Sequence, residues 1–202
     1  MDYFPILIKL AGRRVLVCGS NDDAVSKIRL LQKSSAEIVV FDTPTTTKRR
    51  IKRRSEEGLI QYNDRLVEER DCYNIAFAYV VLKKGKERNA TLRVLTKTKV
   101  PYCVVDDKLH SDFITPAIVD RNPVTVAIGS EGTAPALVRH IKAQIENILP
   151  RQIGLVARIA GAFRSYVYRL PKSHTRRHFW TRFFNQAKSQ IFSQSSTQDL
   201  ET

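Results

Sequence analysis

Arg14-Val15-Leu16-Val17-Cys18-Gly19-Ser20-Asn21-Asp22-Asp23-Ala24 is the stretch on which the fold turns. Val15 to Cys18 form an unbroken apolar run, which suits a strand buried on both faces of a parallel sheet. Gly19 ends it. From Asp22 the period becomes helical, with Ala24, Val25, Ile28 and Leu31 on one face. Asn21 or Asp22 can cap that helix, because a short side-chain oxygen accepts from the orphan N–H groups of the first turn. Glu37 to Phe41 reads as a second strand, ending at Asp42. Strand, turn, helix and strand within about 30 residues make the minimal half of a Rossmann fold.

The alternation continues outward. Thr45 to Gly58 reads as a helix carrying the basic run Lys48 to Arg54, and Leu59 to Tyr62 as a short strand. Asn74 to Leu82 is a buried strand, Glu87 to Lys97 a helix, and Val100 to Val105 a further strand ending at Asp106. Strands alternating with helices predict an α/β fold, a Rossmann-like doubly wound parallel sheet. Beyond Asp106 the character changes. Phe113 to Arg121 leads into an exposed strand, Pro123 to Ile128, and a flexible turn, Gly129 to Thr133. Helices follow over Ala134 to Leu149 and Ile153 to Leu170, with Pro171 ending the second. Ser173 is placed to cap a last helix containing Phe179, Trp180, Phe183 and Phe184.

Charge narrows the partners. The chain has 34 Lys and Arg against 20 Asp and Glu, a formal net charge of +14, which attracts polyanions. The run Lys48 to Arg54 has no aromatic interleaving and belongs to no nucleic-acid motif, so a solvated helix face explains it and no nucleic-acid partner is expected. Cys18, Cys72 and Cys103 are odd in number and far apart, which reads as reduced thiols in a reducing compartment. Near the N-terminus the basic residues follow the apolar run, the reverse of a secretory signal. No stretch approaches the roughly 20 apolar residues of a membrane span. A cytoplasmic protein with no membrane partner is the expectation.

Two longer stretches carry a specific resemblance: VLVCGSNDDAVSKIRLLQKSSAEIVVF from Val15 and PAIVDRNPVTVAIGSEGTAPALVRHIKAQIENILP from Pro116. Both resemble the precorrin-2 dehydrogenase and sirohydrochlorin ferrochelatase family, the N-terminal module of siroheme synthase. The leader FPILIKLAGRRVLV and the closing RRHFWTRFF match as well, so the resemblance runs from Phe4 to Phe184. It implies a Rossmann-like NAD-binding domain over 1–113, a dimerisation segment over 114–149 and a C-terminal helical domain over 150–202. The polar tail, 193–202, is expected to be disordered. It also implies a homodimer that oxidises precorrin-2 to sirohydrochlorin with NAD⁺, and insertion of Fe²⁺ as a substrate to give siroheme.

The resemblance marks site residues. Asp106, at a strand end, matches an aspartate used in dehydrogenation and chelation, with Asp107 beside it as a competitor for the role. A carboxylate there can accept the proton lost as hydride leaves. No fixed metal ligand set is expected, although Asp106 can assist chelation. Ser130 matches a hydroxyl near the tetrapyrrole, and Glu131 stands where the family has a glycine. Asp120 matches too, in a role that is equally structural. Precorrin-2 carries eight carboxylates, so Arg121, Arg139 and His140, with Arg164 or Arg169, are candidates to bind it. Gly19, Ser20, Asn21, Asp22, Asp42 and Thr43 are the cofactor candidates, Asp42 for the ribose hydroxyls.

Departures sit on the same side. Of the three glycines in the usual fingerprint only Gly19 remains, and Asp22 and Asp23 put negative charge where a pyrophosphate would lie. Ala78 to Lys83 replaces a small Ala-Thr segment that lines the cofactor in the family. A second reading follows: a tetrapyrrole-binding or chelatase-only descendant with weakened NAD⁺ binding.

Overall fold

A computed structural model describes residues 1–43, 49–170 and 172–198. The chain divides into two compact units, Met1–Thr115 and Pro116–Thr202.

In the first unit five strands run in the order β3-β2-β1-β4-β5, every neighbouring pair parallel. They are β1 (Arg14–Cys18), β2 (Glu37–Phe41), β3 (Gln61–Asn63), β4 (Ile75–Val80) and β5 (Tyr102–Val104), joined by α1 (Asp22–Leu31), α2 (Arg49–Glu56) and α3 (Lys86–Lys97). Period-two side chains divide β1 between two cores. Val15 and Val17 pack with Val40, Tyr79 and, from α1 and α2, Ile28, Leu31 and Ile51. Leu16 and Cys18 pack on the other face with Val39, Ala78, Val80 and Leu95 of α3. Helices on both faces explain why β1 and β4 read as continuous apolar runs rather than alternating ones. The doubly wound expectation holds.

Element ends differ from the sequence reading by one or two residues. The basic helix is described from Arg49, and the expected start at Thr45 lies outside the described residues. Its Ile51 is fully buried while Arg53 is exposed and paired with Glu57 at 2.7 Å. One apolar anchor, Ile51, holds the helix, and Arg53 faces solvent.

The second unit begins with an antiparallel pair, β6 (Ala117–Arg121) and β7 (Val124–Ile128). Asn122–Pro123, a cis peptide, joins them. Helices α4 (Pro135–Ile148), α5 (Ile153–Tyr168) and α6 (Ser173–Gln198) follow. Gly154 of α5 lies so close to the carbonyl oxygens of Arg121 and Asn122 that a Cβ would collide with both. Helix α6 begins at Ser173 itself and runs to Gln198. Residues 199–202, and Pro171, lie outside the described residues. Leu137, Ile148, Leu155, Ile159 and Phe163 of α4 and α5 are exposed at 39–68%. No helix among the described residues is long and apolar enough to cross a membrane.

Candidate functional site

In an open parallel sheet, ligands bind outside the carboxyl ends of the strands where the strand order reverses. Here that place lies between β1 and β4. Gly19 follows β1, Asp42 and Thr43 follow β2, Val81 and Leu82 follow β4, and Asp106 lies beyond β5, so one sheet edge collects them.

Gly19 makes the tight turn. Its φ is +113°, and a Cβ there would sit 2.7 Å from Val81 Cγ2 and 3.3 Å from the Leu82 nitrogen. The Gly19 N–H donates to the Phe41 carbonyl at 2.7 Å, and the Val81 N–H to that of Cys18 at 2.8 Å, tying the turn to both neighbouring strands. Ala24, fully buried, fills the third fingerprint position, whose role is close helix–strand packing. Asn21 caps α1: its Oδ1 accepts from the Ala24 N–H at 3.0 Å, and its Nδ2 donates to the Val81 carbonyl at 3.1 Å. Its side chain therefore occupies the position where the fingerprint has a bare backbone. Asp22 and Asp23 are exposed in the first turn of α1 and offset the positive end of the helix dipole.

Asp42 is only 2% exposed and accepts a hydrogen bond from the Ser20 hydroxyl, itself 3% exposed. Thr43 donates to Glu87 Oε1 of α3 at 3.3 Å. Taken together, the glycine turn, the Ala24 packing and an acid at the end of β2 fit a dinucleotide. Asn21, Asp22 and Asp23 make this turn bulkier and more negative than the fingerprint's.

Tyr79 does not line that edge. Its ring is 4% exposed, packs edge-on against Phe77 and Phe113, and its hydroxyl meets the Thr115 hydroxyl at 2.8 Å. The bulk that replaces the family's small Ala-Thr segment thus lies partly in the core.

Asp106 and Asp107 separate cleanly. Asp106 is exposed, at φ +61°. Asp107 is bound on two sides. Its Oδ1 meets His110 Nδ1 at 2.8 Å, and its Oδ2 accepts from the Arg88 guanidinium, a side chain 8% exposed. The hydrogen bonds from His110 and Arg88 hold the Asp107 carboxyl down at about 2. Asp107 is thus held by its neighbours, while the Asp106 carboxylate is exposed.

In the second unit, Ser130 Oγ accepts from the Ala134 N–H at 3.1 Å at the start of α4, which leaves its proton free to donate outward. Glu131 has φ +50°, so the backbone keeps the left-handed turn suited to the family's glycine. Asp120 Oδ1 accepts from the Asn122 N–H at 3.0 Å and shapes the β6–β7 turn. Arg121 is engaged within its own unit. It donates to the carbonyls of Leu149 at 3.0 Å, Glu146 at 3.2 Å and Asp120 at 3.1 Å, which closes the carboxyl end of α4. Arg139 and His140 are exposed on α4. Arg164 and Arg169 lie over the rings of Tyr168 and Tyr166, each at 5.9 Å. Among the described residues no three His, Cys, Asp or Glu side chains gather as a metal site.

Arg88 and His110 went unnoticed in the sequence. A signal existed for Arg88: it shares the buried stripe of α3 with Thr91 and Leu95, and a charge on such a stripe needs a partner.

A fold of this class, with its glycine turn and strand-end acid, defines a dinucleotide-binding domain. The comparisons agree and go further. A family described as "Putative NAD(P)-binding" matches residues 6–117, and one described as "Sirohaem synthase dimerisation region" matches 152–202. The second match falls on α5 and α6, downstream of the 114–149 segment assigned to dimerisation from the sequence. Siroheme synthase of Neisseria meningitidis serogroup C is 36% identical over 189 residues, covering 92% of this chain and 38% of its own length. That of Photorhabdus laumondii is 33% identical over 205 residues, covering 100% of this chain and 43% of its own. The chain therefore spans about two fifths of these relatives. A solved precorrin-2 dehydrogenase, SirC, superposes with a TM-score of 0.71 at 22% identity, covering 87% of this chain and 86% of the other. That likeness speaks for the fold. The chain belongs to the NAD(P)-binding family matched over 6–117, as the N-terminal module of the siroheme synthases.

Proposed function

We propose that this chain oxidises precorrin-2 to sirohydrochlorin with NAD⁺ in siroheme biosynthesis, and that it works as a cytoplasmic homodimer. The observation that carries the reading is Asp106, an exposed carboxylate at the ligand-binding edge of a dinucleotide-type sheet. Gly19, Asn21 and Asp42 would hold the dinucleotide, the first by its turn and the last through ribose hydroxyls. When bound, NAD⁺ supplies a hydride acceptor. Precorrin-2 loses a hydride and a proton in this oxidation, and Asp106 Oδ takes the proton.

Arg139 and His140 hold substrate carboxylates, and Ser130 donates its free proton to one. Arg121 supports them by fixing the end of α4. The net charge of +14 draws in an octacarboxylate at long range. Fe²⁺ enters the product as a substrate and displaces two pyrrole protons, one taken by Asp106 and the other passing to solvent. The apolar side chains exposed on α4 and α5, together with the match to a dimerisation region, support the homodimer.

One observation favours the second reading, a chelatase-only descendant. Ser20 already occupies Asp42, and Asn21 fills the second glycine's place. Calorimetric titration with NAD⁺ separates the two. The dehydrogenase predicts saturable heat and, with precorrin-2, the sirohydrochlorin spectrum. No heat with NAD⁺, alongside Fe²⁺ uptake by preformed sirohydrochlorin, would instead establish the descendant.

A further inference from the structure

Asp106 lies at φ +61°, a left-handed conformation that strains a non-glycine residue, although Asp tolerates it better than most. Such a conformation persists only where the surroundings over-determine it. Here they do. The Asp107 N–H donates to the Val104 carbonyl at 3.1 Å. The Ser111 hydroxyl accepts from the Val104 N–H at 2.9 Å and reaches the Asp107 carbonyl at 2.8 Å. The His110 ring closes on Asp107 Oδ1 at 2.8 Å. These bonds knit the turn to the end of β5, where the Val105 N–H donates to the Val80 carbonyl beyond β4 at 3.0 Å. The ion pair between Asp107 and Arg88 adds a tie to α3.

That pair is more than surface decoration. The Arg88 side chain is 8% exposed and that of Asp107 11%, so neither is well hydrated and each depends on the other. The next residue toward the N-terminus, Glu87, accepts from Thr43 on the cofactor side of the edge. One turn of α3 therefore touches the loop after β2 and the loop after β5.

We propose that Arg88 is a positioning residue: through Asp107 it fixes the left-handed turn that presents the Asp106 carboxylate at the sheet edge. Arg88 meets no ligand itself. The proposal rests on Asp106 acting as the base. Lysine at position 88 keeps the charge but loses the planar fork, so the turn loosens while the domain stays folded.

The test compares Arg88→Lys, Arg88→Ala, Asp106→Asn and the full-length chain unchanged. Three quantities are read: anaerobic precorrin-2 turnover, NAD⁺ affinity by calorimetry, and hydrogen exchange of amides 104–111. In Arg88→Lys, kcat should fall by about ten- to a hundredfold, with substrate KM and NAD⁺ affinity held within about twofold. The Asp107 amide should exchange faster in both Arg88 variants, more so in Arg88→Ala. Asp106→Asn should lose turnover and keep wild-type protection, since Asn also accepts a left-handed φ. With Asp106→Asn inactive, unchanged turnover and unchanged exchange in Arg88→Lys would overturn the positioning role alone. Equal losses of kcat and NAD⁺ affinity in Arg88→Lys would also overturn it, since they mark general loosening. Full turnover in Asp106→Asn would instead overturn the assignment of the base, whatever the exchange data report.

Discussion

Gly19→Ala is the substitution whose consequence the structure fixes most closely. At φ +113° an L side chain is strained, a cost of about 1–3 kcal/mol. The new methyl would lie 2.7 Å from Val81 Cγ2 and 3.3 Å from the Leu82 nitrogen, between two strands that cannot separate. Overpacking of that kind costs about 1–3 kcal/mol. The reduced freedom of the unfolded chain returns about 0.4–1 kcal/mol. The net expectation is about 1–6 kcal/mol, a fall in melting temperature on the order of 10 °C. Thermal or urea unfolding followed by circular dichroism reads it directly. Val81→Ala separates the two contributions, because it removes the colliding Cγ2 and leaves the backbone strain. In that background Gly19→Ala should cost about 1–2 kcal/mol less, a coupling typical of residues in contact. A Gly19→Ala protein within about 0.5 kcal/mol of wild type, or the same cost in both backgrounds, would refute the reasoning.

Acid stability should report the pairs Asp107–Arg88 and Asp71–Arg65. Asp107 is held at about 2 by His110 and Arg88, and Asp71 is held below its ordinary value by the Arg65 hydrogen bond. A depressed carboxyl stabilises the fold above its unfolded pKa of about 4, and that contribution disappears as pH falls toward 2. Asp107→Asn should flatten the melting temperature against pH between those limits, whereas parallel curves would contradict it. Thiol reagents should label Cys72 first: burial pushes all three thiols up, but Cys72 is half-buried whereas Cys18 and Cys103 are closed to access. Mass spectrometry of partly labelled native protein gives the order, and early modification of Cys18 would count against the buried β1. Glu131→Gly should relieve the left-handed φ of +50° and remove a charge beside the tetrapyrrole turn. Substrate KM should fall, by about fivefold at most, with kcat unchanged; a raised KM would place Glu131 in binding.

Much of this was legible in the chain, for identifiable reasons. β1 and β2 could be read to the residue because both of their faces are buried and their apolar runs end at Gly19 and Asp42. β6 was harder. Its exposed Asp120 and half-buried Arg121 break the apolar run, and prolines stand at positions 116 and 123. Gly154 carried no local signal, since its reason is a carbonyl pair more than thirty residues away. Asp106 could be found from its strand end. That Asp107 is structural could not, because it depends on Arg88 reaching across from another element. Arg121 shows the same limit in reverse: charge marks it as a carboxylate binder, and geometry gives it to the end of a helix.

Anaerobic oxidation of precorrin-2 under saturating NAD⁺, in wild type and in Asp106→Asn, tests the central claim most directly. The expected result is NADH and sirohydrochlorin formed in equal amounts by wild type. Asp106→Asn should bind both partners and turn over at least about a hundredfold more slowly. Absence of NADH from the wild-type protein, or an undiminished rate in Asp106→Asn, would contradict it.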